Sequence, residues 1–245
     1  IVYIEIAEDS FQAVRRLPWP RHYHAVLIHI LKEWGAKAVV FDMMFSSPSR
    51  PADDTVLSEA LEKSGKVYLP VFLEQSADRK VWLRSIPEFQ THVKGTGHVN
   101  VSSDADGVLR RIPPFLTAGG VSYPHLALKV AFDYLGKEMP SYPKELSFPL
   151  DSKGNFLINW EGRWTKTFKH YSYVDILRSF EAQSQGRNPL ISPEAIKDKI
   201  CLVGFTAAGS TDQKAIPLEP IYPGVGVLAN VINSVIVKRF VSKAP

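Results

Sequence analysis

A mostly parallel α/β sheet flanked by helices, with hairpin insertions, is the fold class this sequence predicts, and two observations predict it. Apolar runs of strand length alternate with stretches in which apolar residues recur three and four positions apart. The run Ala38-Val39-Val40-Phe41 is also continuous, the pattern of a strand covered on both faces. Six or more strands and about five helices are expected, in one domain spanning residues 1–245.

Taken in order, Val2-Tyr3-Ile4-Glu5-Ile6 alternates at period two and reads as a strand. Past Pro18 and Pro20, Leu27, Ile30, Leu31 and Trp34 fall at helical spacing, with Gly35 as the stop. With the strand 38–41 this makes a βαβ unit within about 40 residues. Asp53 and Asp54 open a second helix carrying Val56, Leu57, Ala60 and Leu61, ended by Gly65, and 67–73 is a third strand. Residues 74–96 read as a long excursion or an edge hairpin. Segments 97–102 and 107–112, joined by Ser103-Asp104-Ala105-Asp106, read as a hairpin. Pro124 suits the first turn of a helix through Tyr134 that Gly136 ends, and the proline-rich stretch from Pro140 to Pro149 is a connector. A strand at 156–160 follows, then a helix capped by Ser172 and Asp175 and running through Phe180. Residues 181–195 read as loop, 200–205 as a strand, and Pro223 to Phe240 as the last helix.

The composition, 45% apolar and 22% charged, is that of a globular chain able to bury a core. The 29 basic and 25 acidic residues are scattered without a run of five like charges, a mixed surface that argues against nucleic-acid binding. Cys201 is the lone cysteine, cannot form an intrachain disulfide and lies in an apolar run, so it reads as a small buried hydrophobe. No stretch approaches 18 consecutive apolar residues and no signal peptide is visible. A start at Ile1, already in a strand pattern, suggests a piece of a longer protein.

Ligands of open α/β sheets bind beyond the carboxyl ends of strands, which directs attention to the loops there. Asp42 ends the strand 38–41, where its carboxylate could bind a metal, a sugar or a cation, or simply pin a loop. A haloacid-dehalogenase nucleophile would require a second aspartate at 44, where Met44 stands. Asp104-Ala105-Asp106-Gly107 resembles the opening of a calcium loop, but position 12 is Phe115 rather than a bidentate acid, so a tight turn is favoured. His22 and His24 point about 200° apart on a helix and leave zinc without a ligand set. No Gly-x-Ser-x-Gly elbow, Gly-x-Gly-x-x-Gly turn or Walker sequence is present. Pro223-Gly224-Val225-Gly226 could receive an anion on free backbone amides, or only start a helix. Arg110 and Arg111 point to opposite faces of a strand, and one could clamp a carboxylate. No metal site and no cofactor are expected.

Several of these segments occur in a recognisable order. Arg21-His22-Tyr23-His24-Ala25 through Leu31, Gly35-Ala36, Phe41-Asp42-Met43-Met44-Phe45, Asp54 and Leu57 resemble the first half of a CHASE2 domain. Asp104-Ala105-Asp106-Gly107-Val108-Leu109-Arg110-Arg111, Leu202-Val203-Gly204-Phe205-Thr206-Ala207, Asp212, Pro217 and Pro223-Gly224-Val225 resemble its second half. The resemblance covers residues 1–240 and implies a non-catalytic, extracytoplasmic sensor of bacterial receptors, set between membrane helices that lead to a cytoplasmic kinase or nucleotide cyclase. It departs at Gly226 and Leu228, where the family commonly has a glutamate and a histidine.

The expected ligand contacts are Asp42, Phe45, Asn100, Asp106, Arg110, Thr206 and Asp212, chosen by strand-end position and motif match. The expected partners are a small-molecule or environmental ligand, a second copy in a homodimer, and flanking transmembrane helices, with the signal leaving through residues 224–240. Two rivals stand beside this reading: a metal-dependent hydrolase using Asp42, Asp106 and Asp212, and a structural dimerisation module in which the same acids are caps.

Overall fold

The continuous apolar runs at 38–41 and 200–203 form strands, and Gly35 and Gly65 follow the ends of two helices. The computed structural model describes residues 1–14, 18–76, 79–207 and 212–242. Its strands are β1 (Val2–Ile6), β2 (Ala38–Phe41), β3 (Val67–Gln75), β4 (Lys80–Leu83), β5 (Gly95–His98), β6 (Arg111–Ile112), β7 (Phe115–Ala118), β8 (Val121–Pro124), β9 (Phe156–Leu157), β10 (Lys169–Ser172), β11 (Ile200–Phe205), β12 (Gln213–Ile216) and β13 (Glu219–Pro223). Its α-helices are α1 (Glu8–Ala13), α2 (Arg21–Glu33), α3 (Pro51–Ser64), α4 (Pro87–Gln90), α5 (Leu126–Tyr134), α6 (Tyr173–Ser184) and α7 (Val225–Ile236). The α/β class is the one expected. The chain divides into two units: residues 1–69, 85–94 and 168–211 form the first, and 70–84, 95–167 and 212–245 the second.

In the first unit the strands run parallel in the order β10-β1-β11-β2-β3. β1 and β2 are therefore not neighbours, as a simple βαβ reading would have them. β11, from the far end of the chain, lies between them, with Ile4 opposite Val203 and Val203 opposite Phe41. All four residues of β2 are buried, which accounts for its unbroken apolar run. Leu27, Ile30 and Leu31 of α2 and Leu57 and Leu61 of α3 are buried against this sheet's core with Ile4, Val39, Phe41 and Val203. Gly65 ends α3 in the left-handed conformation (φ 60°), its N–H bonded to the Leu61 carbonyl, as a glycine C-cap should.

In the second unit the Pro70–Gln75 part of β3 pairs antiparallel with β4, Phe72 opposite Leu83, in agreement with an edge hairpin. The hairpin expected across 97–112 does not form. Asp104 to Gly107 is a tight turn, with the Gly107 N–H on the Asp104 carbonyl at 2.9 Å, but its flanks go elsewhere. β5 pairs with β3, and β6 pairs antiparallel with β9. Pro124 lies in β8, leaving His125 as the N-cap of α5. The strand foreseen at 156–160 contracts to β9, and the loop foreseen at 181–195 is helical as far as Ser184. Two antiparallel hairpins, β7–β8 and β12–β13, complete the unit.

α7 is the most buried helix. Ten of its twelve residues are buried and none is charged, as a helix apolar nearly all round must be. It packs on α5. It ends at Ile236 rather than at residue 240: Val237 is its C-cap and Lys238 turns left-handed (φ 55°). Phe240 then returns to stack on Phe148, with ring centroids 5.4 Å apart. Among the described residues no helix is long and apolar enough to cross a membrane.

Candidate functional site

The polar groups that converge at the carboxyl end of the parallel sheet centre on Glu5. Its place in β1 is sandwiched by apolar neighbours, and its register partner on β11 is Gly204, which has no side chain to fill the space beside it. On the other side its register partner is Ser172 of β10. The carboxylate meets the His170 ring at Nδ1 through one oxygen and accepts from Thr206 Oγ at 2.8 Å through the other. The Thr206 N–H reaches the Ile6 carbonyl at 3.1 Å, which fixes the turn leaving β11. Nearby, Ser172 Oγ donates to Asp9, and the Asp9 carboxylate accepts the Ser10 N–H at 2.7 Å. Glu5 and His170 keep 18% and 25% of their side-chain surface open to solvent, so a solute can reach the pair. A carboxylate, an imidazole and a hydroxyl carried by β1, by β10 and by the turn after β11 can bind a polar solute through both donors and acceptors.

Asp42 follows β2 at the same end of the sheet, its N–H on the Val203 carbonyl at 2.8 Å. Phe45, three residues on, is a core side chain. Its ring packs against Phe41, Phe89 and His24, with centroids 5.3 to 5.9 Å apart. Arg21 holds the loop between them by bonding to Asp54 and to the Ser47 carbonyl, with its guanidinium 4.9 Å above the Phe89 ring. Burial pushes the neighbouring His24 down to about 4, with the Arg21 charge acting in the same direction. His24 thus serves as a neutral packing and hydrogen-bonding group, its Nδ1 3.1 Å from the Tyr173 hydroxyl.

The other four expected contacts lie in the second unit, where each has an internal partner. Asn100 imitates a strand: its Oδ1 accepts the Leu73 N–H and its Nδ2 donates to the Leu73 carbonyl, both at 2.8 Å. Asp106 accepts from Arg110 through both oxygens, at 2.9 and 2.7 Å, and from the Val108 N–H at 3.0 Å. The Arg110 hydrogen bonds hold its carboxyl down at about 2. Arg110 also reaches Asp104, which Arg111 shares before continuing to the buried carboxylate of Asp151 at 2.8 Å. The resemblance to a calcium loop has a physical explanation here. Guanidinium groups supply the positive charge that the paired aspartates require. Asp212 pairs with Lys214 at 2.8 Å, and its carboxylate lies over the start of α7. A Cβ added at Gly224 would come within 1.9 Å of Asp212 Oδ2, so the chain's own carboxylate occupies the space at that helix start.

Of the seven expected residues, then, Asp42 and Thr206 stand at the sheet's carboxyl end with Phe45 beneath them in the core, and the other four belong to the second unit. Sequence reasoning missed Glu5 and His170. Period-two alternation over residues 2–6 places Glu5 opposite the face of Val2, Ile4 and Ile6 and so marks it as an ordinary outward residue, whereas His170 lies 165 residues away and gave no signal. Among the described residues no group of three or more potential metal ligands forms.

Compared with known proteins, the chain matches the family model described as the CHASE2 domain over residues 1–245. No match was found among the curated proteins or among the solved structures. The chain belongs to the CHASE2 domain family, whose members are non-catalytic extracellular sensor domains of receptors.

Proposed function

We propose that this chain is the extracytoplasmic ligand-sensing domain of a bacterial transmembrane receptor whose output is a histidine kinase, a diguanylate cyclase or an adenylate cyclase. The observation that carries the reading is the cluster in which Glu5, near the carboxyl end of β1, meets His170 of β10 and Thr206 just past β11, in a chain of a sensor family. The solute is small and polar, and contacts Glu5, His170, Thr206 and Asp42. The flanking segments lead to membrane helices, and the receptor works as a homodimer. Because α7 stops at Ile236 and Phe240 packs back on Phe148 and Phe156, the signal leaves through an anchored turn rather than through one rigid helix. The hydrolase alternative draws no support from the site, since Asp106 and Asp212 are each committed to a cation of the chain itself.

Thermal melting of the chain across a panel of small polar metabolites and divalent ions tests this. A solute present at a hundred times its Kd stabilises by about 2.7 kcal/mol, roughly 5–10 °C for a chain of this size. Glu5→Gln and Thr206→Val should abolish the shift while leaving the unliganded melting point within a few degrees. Stabilisation by a metal ion alone, or a shift that survives both substitutions, would refute the site.

A further inference from the structure

Two histidines in the second unit are fully buried and take no part in the site above. His98 ends β5, and His125 is the N-cap of α5. The two are bridged as a parallel pair, with ring centroids 5.0 Å apart and planes at 89°. Helix N-caps are ordinarily Ser, Thr, Asp or Asn, whose oxygens accept a backbone N–H at any physiological pH. Here the acceptor is His125 Nδ1, 3.3 Å from the Ala127 N–H. That bond assigns the neutral tautomer with hydrogen on Nε2, and this Nε2 is buried without a hydrogen-bond partner among the described residues. Protonating Nδ1 turns the acceptor into a donor, which abolishes the cap. It also places a positive charge at the positive end of the helix dipole.

A Cβ at Gly97 would stand 2.6 Å from the Leu126 Cα, so β5 and the first turn of α5 are in backbone contact. The elements around the two rings supply no counter-charge. α7 has no titratable residue, and β5 and β7 have none beyond His98 itself. β8 contributes only Tyr123, and the Pro70–Gln75 part of β3 only Glu74, which is exposed. On α5, Lys129 and Asp133 pair with each other at 2.8 Å. Pro114 accepts the His125 N–H through its carbonyl, and the Pro113 backbone beside His98 is likewise uncharged.

Resting on the sensor reading, we propose that the His98–His125 pair is a proton-binding site that loosens α5 from β5 on acidification, so that the second unit senses acidity. Burial supports this by holding His98 down at about 3 and His125 well below its usual value, the latter lowered further by His98. Both rings stay neutral while α5 is docked and take up protons, near the ordinary value of about 6.5, only when it opens. The stabilisation is therefore full above that value and is lost as pH falls below it. Each histidine raises the opened population by up to about tenfold per pH unit, and the two together by up to about a hundredfold. α5 packs on α7, so opening bears directly on the last helix of the unit.

Hydrogen exchange of the 245-residue chain at pH 7.5 and 5.5, normalised for the chemical exchange rate, tests the proposal. Protection of the Leu126–Tyr134 amides should fall at least tenfold at the lower pH. His125→Asn, which keeps a capping oxygen but does not titrate, should reduce that fall, and the double variant with His98→Gln should remove it. Equal protection at both pH values, or an undiminished fall in the double variant, would overturn the proposal. Ring 15N shifts of the wild-type chain give a reading that needs no variant: His125 should remain the neutral Nε2–H tautomer down to pH 5.5. His98 or His125 titrating near 6.5 in the folded chain overturns the proposal as well. No small solute is involved, so failure here leaves the ligand-melting test standing, and the reverse also holds.

Discussion

Replacing Gly226 by alanine should destabilise the protein although alanine is the better helix former. An alanine Cβ at this position would lie 2.2 Å from Cε1 and 3.0 Å from Cδ1 and Cζ of Tyr222. The Tyr222 ring cannot yield cheaply. It is 0% exposed, packs edge-on against Trp160 and Trp164, and its hydroxyl accepts from Asn230 Nδ2 at 2.8 Å. Alanine recovers about 1 kcal/mol of helix propensity. Overpacking costs about 1–3 kcal/mol or more, and a displaced ring forfeits a buried hydrogen bond worth about 1 kcal/mol. The balance is a loss of about 1–3 kcal/mol, read as a lower urea midpoint at unchanged slope and a melting point lower by roughly 2–4 °C per kcal/mol. Gly224→Ala is the matched comparison. Its added Cβ also meets a close atom, but that atom belongs to the half-exposed carboxylate of Asp212, which can rotate away. Gly226→Ala should therefore be the more damaging of the two. An unchanged or raised urea midpoint for Gly226→Ala, or an equal loss in both variants, would refute the packing argument.

Two further outcomes follow from the second unit. Asn100→Ala removes both bonds to Leu73 and should cost about 1–3 kcal/mol by the same urea titration, because a strand N–H loses its partner; a loss below about 0.5 kcal/mol would mean that water replaces the side chain. Arg110→Gln should let the Asp106 carboxyl rise from about 2 toward its usual 3.8, measured by NMR titration. The stabilisation this pair provides is present above the usual value and is lost as pH falls toward 2, so a carboxyl that still titrates near 2 in the variant would contradict the assigned cause.

The sequence was most readable where a local signal and the tertiary environment agree. Leu27, Ile30 and Leu31 followed by Gly35, and Leu57 and Leu61 followed by Gly65, lie in helices that are buried on those residues and end at those glycines. Strand pairing was not readable, because a local turn does not choose its partners. Asp104–Gly107 forms the expected turn while β5 and β6 pair with β3 and β9. Gly119 and Gly120, both left-handed between β7 and β8, are the local signal of that hairpin, and the strand it closes includes Pro124. The site was half readable. Asp42 and Thr206 lie at strand ends that their apolar runs predict, but the Glu5 contacts join residues 165 and 201 positions apart, which spacing cannot anticipate. Asp106 and Arg110, expected as ligand contacts, bond to each other, a pairing that their spacing of four does not announce outside a helix.

The position of β11 between β1 and β2 bears on how the chain is made. A ribosome delivers β1 and β2 early, but the strand that must separate them begins at Ile200, about 160 residues after Phe41. At roughly 5–20 residues per second that is on the order of 8–30 s of synthesis with two apolar strand edges unpaired. Direct pairing of β1 with β2 in this interval would have to be undone before β11 could enter, so the sheet of the first unit is completed only after β11 is made. A nascent chain arrested before residue 200 should accordingly remain protease-sensitive throughout its amino-terminal third, even though every local helix signal there is already in place.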